Sequence, residues 1–197
     1  LLSAMLSLCG YTRHLCVAIS SYSWSLVANS QERLREKPGA QIGEILGPFK
    51  GNLLDFHLRM LNYDGAKQGA LDPSDAEWIT QQYDVFNGLT ATSGRFRLAL
   101  EAAVDWRFQS ESRSGLARLW SGIEALLGVE QELRYRISLM AASVLLPRGR
   151  ERQARFQEIK KLYDIRSKAV HGDDEVKSDA LRSATCNSFE LLRDLLK

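Results

Sequence analysis

The sequence predicts an all-α fold, a bundle of packed helices. From residue 72 to the C-terminus, apolar residues recur at three- and four-residue spacing in six separate segments. The connections between those segments are short and carry Gly, Pro or clustered polar residues. In the same region no stretch reads convincingly as a strand, so helix on helix is the architecture that buries these stripes.

The N-terminal part is read as a helical extension over residues 1–71. Residues 1 to about 20 form a helix with Leu2, Leu6, Cys9, Cys16 and Ile19 among its apolar positions. Residues 20–25, from Ser20 through Trp24 to Ser25, fit a short strand or a loop. Pro38-Gly39 and Gly47-Pro48 are turns, with room between them for a short helix over Gln41 to Leu46. Gly51 to Asn62 reads as a further helix through Leu53, Leu54, Leu58 and Leu61. Tyr63 to Leu71 is polar with two glycines and marks a boundary, so the second region spans residues 72–197.

Asp72-Pro73 supplies an N-cap and a first-turn proline for a helix that should run to about Asn87 and stop at Gly88. Phe96, Ala99, Leu100, Ala103 and Trp106 define the next, from Arg95 to about Gln109. After a polar break at residues 110–114, Ser112 to Leu127 carries the stripe Leu116, Leu119, Trp120, Ile123 and Leu127, and ends at Gly128. Glu132 to Leu146 is helical up to Pro147. Arg150 to His171 is the longest periodic segment. An acidic loop at residues 173–175 precedes a last helix, Lys177 to Lys197, through Leu181, Ala184, Ser188, Leu192 and Leu195.

The 197 residues are ordinary in composition, at 45% hydrophobic and 25% charged with 4 prolines. A net charge of +2 sets up no global field for nucleic acid, so any electropositive site must be local. Cys9, Cys16 and Cys186 are odd in number and irregularly spaced, which fits buried thiols in a reducing, cytoplasmic compartment rather than a disulfide framework. No Cys/His cluster has zinc-ligand spacing, so neither metal nor cofactor is expected. The apolar run over residues 1–28 is interrupted by Arg13 and His14 and lacks the pattern of a membrane span or secretory signal. The chain starts at Leu1 without an initiator Met and reads as a piece of a longer protein with a possible upstream domain.

The residues that can carry chemistry lie at the end of the long segment. On a wheel of about 100° per residue, Ile159, Leu162, Tyr163, Ala169 and Val170 share one face, and Arg166 falls near its middle. A guanidinium there needs a partner, because an unpaired buried charge costs several kcal/mol. Glu124 is the first candidate, with Asp105 and Glu101 behind it. Five positions on comes His171, followed by Gly172 as a helix terminator. Two readings stand on the residues alone. In one, Arg166 pairs with a core carboxylate and His171 sits at a helix end, both for structure. In the other, Arg166 grips a phosphate with its planar fork and His171 moves protons. An ideal helix separates the two side chains by about 140°, so Gly172 must redirect the His or a second copy must complete the site. Between Arg134 and Lys168 ten basic residues stand against Glu151, Glu158 and Asp164, an excess of seven that can attract phosphate backbone.

Two blocks, Leu119-Trp120-Ser121-Gly122-Ile123-Glu124-Ala125-Leu126-Leu127-Gly128 and Leu162-Tyr163-Asp164-Ile165-Arg166-Ser167-Lys168-Ala169-Val170-His171-Gly172, resemble the HEPN superfamily and, within it, the Apea-like HEPN domains. The resemblance covers roughly residues 75–197. It implies a HEPN-type helical bundle, here with additional N-terminal helices, that commonly forms homodimers with a composite active site. It also implies, for many members, a metal-independent endoribonuclease whose signature is Arg, four to six residues, then His, matched by Arg166 and His171. Many active members carry Asn, Asp or His after the Arg, where this sequence has Ser167. Glu124 matches a recurrent acidic position.

The implied chemistry is attack of an RNA 2′-hydroxyl on its neighbouring phosphate. His171 acts as acid or base and Arg166 stabilises the charge on the phosphoryl oxygens. Ser167 orients the phosphate, and Lys160, Lys161 and Lys168 hold the backbone. Such a protein is expected to serve microbial defence or to act as a toxin on single-stranded RNA. The contrasting expectation is a non-catalytic dimerisation or RNA-binding module for an upstream domain, and a third is a sensor holding a nucleotide at Arg166.

Overall fold

The computed structural model describes residues 1–11, 61, 63, 65–67, 70–171 and 176–197. Those residues belong to one compact unit, Leu1–His14 with Leu58–Lys197. Among them are seven α-helices, one 3-10 turn and no strand, so the fold is all-α. The helices are α1 (Leu2–Leu8), α2 (Pro73–Thr92), α3 (Gly94–Asp105), α4 (Ser112–Leu127), α5 (Leu133–Leu145), α6 (Arg150–Val170) and α7 (Ser178–Leu196).

The first helix is shorter than the sequence suggests. It stops at Leu8 because Gly10 adopts φ +95°. The Gly10 N–H then donates to the Ser7 carbonyl, and that of Tyr11 to Leu6, closing the C-terminal motif that a left-handed glycine permits. Cys16, Ile19, the segment 20–25, the helix expected over Gln41 to Leu46 and most of that over Gly51 to Asn62 lie outside the described residues. So do Gly172 and the acidic residues 173–175.

The capping signals read from sequence act as expected at α2, where the Asp72 side chain accepts from the Ser74 N–H ahead of Pro73. Gly88 does not stop this helix. It lies on an open face with no neighbour within 4 Å of a Cβ built there, and the helix continues to Thr92. Ser93 ends it and at once caps α3, accepting from Phe96 N–H. Gly128, at φ +64°, closes α4 as read from the sequence.

The core is built around α4, whose Leu116, Leu119, Trp120 and Ile123 are fully buried. Each such side chain contributes roughly 1.5–3 kcal/mol on leaving water. Its small residues let neighbours approach: α3 packs over Gly122, and α7 lies close enough for Leu192 to reach it. The short connection at residues 146–149 folds α5 back along α6. Trp106, in the 3-10 turn after α3, stacks tilted on Phe189 of α7 at 5.3 Å.

Tyr63 falls in the stretch read as a polar boundary, yet it is buried. Its ring meets Phe189 edge-on at 5.0 Å and its hydroxyl donates to Glu190 Oε1 at 3.0 Å. Burial and that carboxylate push the phenol up to about 12. Beside it the Leu61 N–H donates to the Arg107 carbonyl at 2.7 Å, and α1 packs on α3 and α2.

Candidate functional site

Helix α6 carries Lys160, Lys161, Arg166, Ser167 and Lys168, His171 is its C-cap, and Glu124 faces it from α4. Ile159, Leu162 and Ala169 fix which side of α6 is buried. That rotation carries Arg166 against α4, where its Nη2 lies 3.0 Å from Glu124 Oε1. The first of the three carboxylates considered is thus the partner. Asp105 and Glu101 are taken by Arg118, at 2.8 and 3.7 Å.

The pair is held by charge without a satisfied hydrogen-bond network. The 3.0 Å separation is ion-pair distance, but its alignment is outside hydrogen-bonding geometry. Glu124 Oε1 and Arg166 Nε are both buried atoms with no hydrogen-bond partner. Unmade hydrogen bonds of this kind are costly where water is excluded. Burial raises the Glu124 carboxyl above its ordinary range, and the Arg166 charge pulls it back only in part. The two side chains as a whole are 19% and 22% exposed, so the pair is not fully sealed from solvent.

Tyr163 supports the guanidinium from the preceding turn of α6, with the Arg166 charge 5.5 Å from its ring centre. Its ring meets Trp120 edge-on at 5.3 Å, and the Trp120 indole N–H donates to Ser188 Oγ at 3.0 Å in the core. Arg166 therefore stands on a column of packed side chains rooted in α7.

His171 is placed differently. It is exposed at the C-terminal end of α6, and its N–H still donates to the Ser167 carbonyl at 3.1 Å. With φ −82° and ψ 6°, its backbone has left the regular helical region, as suits the C-cap of α6. Gly172, the residue expected to redirect the His, lies outside the described residues, and among the described residues no hydrogen bond or ion pair joins His171 to Arg166. Val170, read as part of the apolar face, is 44% exposed, whereas Ala169 before it is buried, so the buried side of the last turn runs through Ala169 and not Val170. Ser167 is half-buried, and Lys161 and Lys168 are exposed.

A residue that sequence reasoning missed secures this end of α6. Arg113, in the first turn of α4, donates from Nη1 to the carbonyl of Ala169. It satisfies a terminal helix carbonyl with a positive charge, where the helix dipole favours one. No sequence signal links two residues 56 positions apart.

The basic excess is partly neutralised. Arg134 grips Asp164 with two hydrogen bonds of 2.6 Å, Arg136 pairs with Glu132, and Arg155 with Glu158. Arg148, Arg150, Lys160, Lys161 and Lys168 make no ion pair with a described carboxylate, and they lie on α6 or just ahead of it. Among the described residues no group of three or more His, Cys, Asp or Glu is placed to hold a metal ion, and no helix is long and apolar enough to cross a membrane. Comparison with protein families, with curated proteins and with solved structures finds no match for this chain.

Proposed function

We propose that the protein is an endoribonuclease of HEPN type that cleaves single-stranded RNA without a metal, with Arg166 and His171 as its catalytic residues. The observation that supports this most is the state of Arg166. It is a partly open guanidinium with an unsatisfied Nε, held on Tyr163 and Glu124, on a helix whose Lys160, Lys161 and Lys168 make no ion pair with a described carboxylate. A phosphate that displaces the Glu124 carboxylate would meet the exposed edge of this guanidinium with a matching planar pair of acceptors.

The RNA 2′-oxygen attacks the adjacent phosphorus as a base removes its proton. The bond from phosphorus to the 5′-oxygen breaks, and an acid returns a proton to that oxygen, leaving a 2′,3′-cyclic phosphate and a 5′-hydroxyl. His171 fills one proton-transfer role. Five residues on an ideal helix separate the two side chains by about 140°, so the complete site is a composite one in a homodimer, with His171 of a second copy in the other role. Glu124 keeps Arg166 in place, Ser167 orients the phosphate, and Lys160, Lys161 and Lys168 hold the strand. A defence or toxin effector is the biological role that suits such an activity.

Incubation with single-stranded RNA in EDTA tests the reading. The protein should cut RNA and spare DNA, which lacks the 2′-hydroxyl. His171→Ala should lose about 10²- to 10⁴-fold in rate. Intact RNA with the parent protein, or equal cutting by the variant, overturns it.

A further inference from the structure

Alongside Arg166, the bundle has a second feature, of which the catalytic reading uses only Lys160 and Tyr163. An open cleft of about 530 Å³ lies between the start of α5 and the middle of α6, lined by Glu132, Leu133, Arg134, Tyr135, Lys160 and Tyr163. Its volume is in the range of about 300–1,000 Å³ usual for small-ligand clefts. Tyr135 is 54% exposed, a large share for an aromatic ring, and is propped edge-on against Phe156 at 5.7 Å. The Lys160 ammonium lies 5.4 Å from the centre of the Phe156 ring and makes no ion pair with a described carboxylate. On the cleft's rim Glu132 has φ +50°, the one non-glycine residue at positive φ among those described. Strain of that kind gathers where a structure is shaped for a ligand.

We infer that this cleft is a nucleobase-binding subsite that seats an unpaired nucleotide of the RNA, with Tyr135 as the stacking platform and Lys160 as the contact to its phosphate. The chemistry favours a base over other small ligands. An exposed, braced aromatic ring beside an unpaired ammonium is the pairing that single-strand binders use, stacking for the base and charge for the backbone. Arg134 is committed to Asp164 and Arg136 to Glu132, so the cleft is not a bare anion trap.

The placement also connects it to the catalytic pair. Tyr163 lines the cleft on one side and carries Arg166 over its ring. Lys160, Ser167 and His171 stand seven and four residues apart and therefore share one stripe of α6. At about 1.5 Å per residue, Tyr163 is about 12 Å along the helix from His171. A strand with one base seated in the cleft runs along this stripe toward His171. Base pairing would hold that nucleotide inside a duplex, so the subsite selects unpaired RNA.

This inference rests on reading α6 as an RNA face, and binding separates it from cleavage. The probe is a short fluorescein-labelled 2′-O-methyl oligonucleotide, uncuttable because its nucleophile is blocked, measured by anisotropy against the intact chain. Tyr135→Ala should weaken binding roughly 5- to 150-fold, Tyr135→Phe should stay within about twofold, and the matching duplex should bind far less well. Lys160→Ala should weaken binding and flatten its salt dependence. Unchanged binding by Tyr135→Ala, or equal affinity for the duplex, overturns the subsite. So does a Tyr135→Ala variant that loses only self-association. If the parent binds the probe in this pattern but cuts no RNA, the nuclease reading fails and the subsite stands. If RNA is cut and Tyr135→Ala leaves KM unchanged, the subsite fails and the nuclease reading stands.

Discussion

Arg166 and Glu124 face each other across α6 and α4 at 3.0 Å, each with a buried polar atom that has no hydrogen-bond partner. A pair meant only to stabilise a bundle gains most when its hydrogen bonds are complete. This one is incomplete and partly open. The carboxylate keeps a cation in the apolar stripe of α6, and under the proposed function it is the group that an RNA phosphate would replace.

Removing the Glu124 carboxylate should therefore cost stability and leave the cation. Glu124→Ala strands a half-buried guanidinium. Loss of one partner of a fully buried pair costs about 3–5 kcal/mol, and the solvent access here lowers that to about 1–3 kcal/mol. Denaturant titration checks it, and a double-mutant cycle with Arg166→Met isolates the coupling. A stability of Glu124→Ala equal to the parent would mean that Glu124 does not hold Arg166.

The same carboxyl gives a pH dependence of definite sign. Its folded pKa is raised above the ordinary glutamate value of 4.5, chiefly by burial. The folded state therefore holds its proton more tightly than the unfolded chain does. The contribution of Glu124 is fully present below that ordinary value and is lost as pH rises through the higher folded value. Unfolding curves collected upward from pH 4.5 should show a component of falling stability that Glu124→Gln removes. If the two proteins keep parallel profiles, burial does not control this group.

Much of this arrangement was legible because it is local. The stripe on α4, its stop at Gly128 and the caps at Asp72 and Pro73 depend on residues a few positions apart, and the structure keeps them. The misplaced Arg166 could be read, and so could Glu124 as its partner, because a charge on an apolar stripe demands an acceptor on a facing helix. Three features could not be read. Gly88 carries no information on its own, since an open helix face tolerates it. Tyr63 is core only because α7 brings Phe189 and Glu190 to it. Arg113 matters only because the end of α6 arrives beside it. The last two depend on packing between segments far apart in sequence, which periodicity does not encode.

Gly122 sets how closely α3 and α4 pack, and an alanine there tests the crossing. A Cβ at this position would lie 2.6 Å from Ala102 Cβ and 3.3 Å from the Ala99 backbone. Alanine gains up to about 1 kcal/mol in helix propensity over glycine, while overpacking a rigid contact costs about 1–3 kcal/mol. With backbone on the opposing side the steric cost should win, lowering stability by about 1–2 kcal/mol in a thermal melt. A more stable variant would show that α3 moves aside freely.

Arg113 links the bundle to the exposed His171, and its removal should act on function through the backbone. The guanidinium holds the Ala169 carbonyl in the last turn of α6, two residues before His171. Hydrogen bonds to charged groups contribute about 1.5–3 kcal/mol, and part of this one is solvent-accessible, so Arg113→Ala should cost about 1 kcal/mol globally. Locally the effect should be larger, because a helix end without its cap frays. Amide exchange should quicken at Val170 and His171 while the amides of Leu119 and Ile123, in the core of α4, keep their protection. If RNA cleavage depends on the position of His171, kcat should fall in step with that fraying, and Arg113→Lys should recover part of both. Uniform loss of protection through α4 and α6 would instead make Arg113 a general support of the bundle.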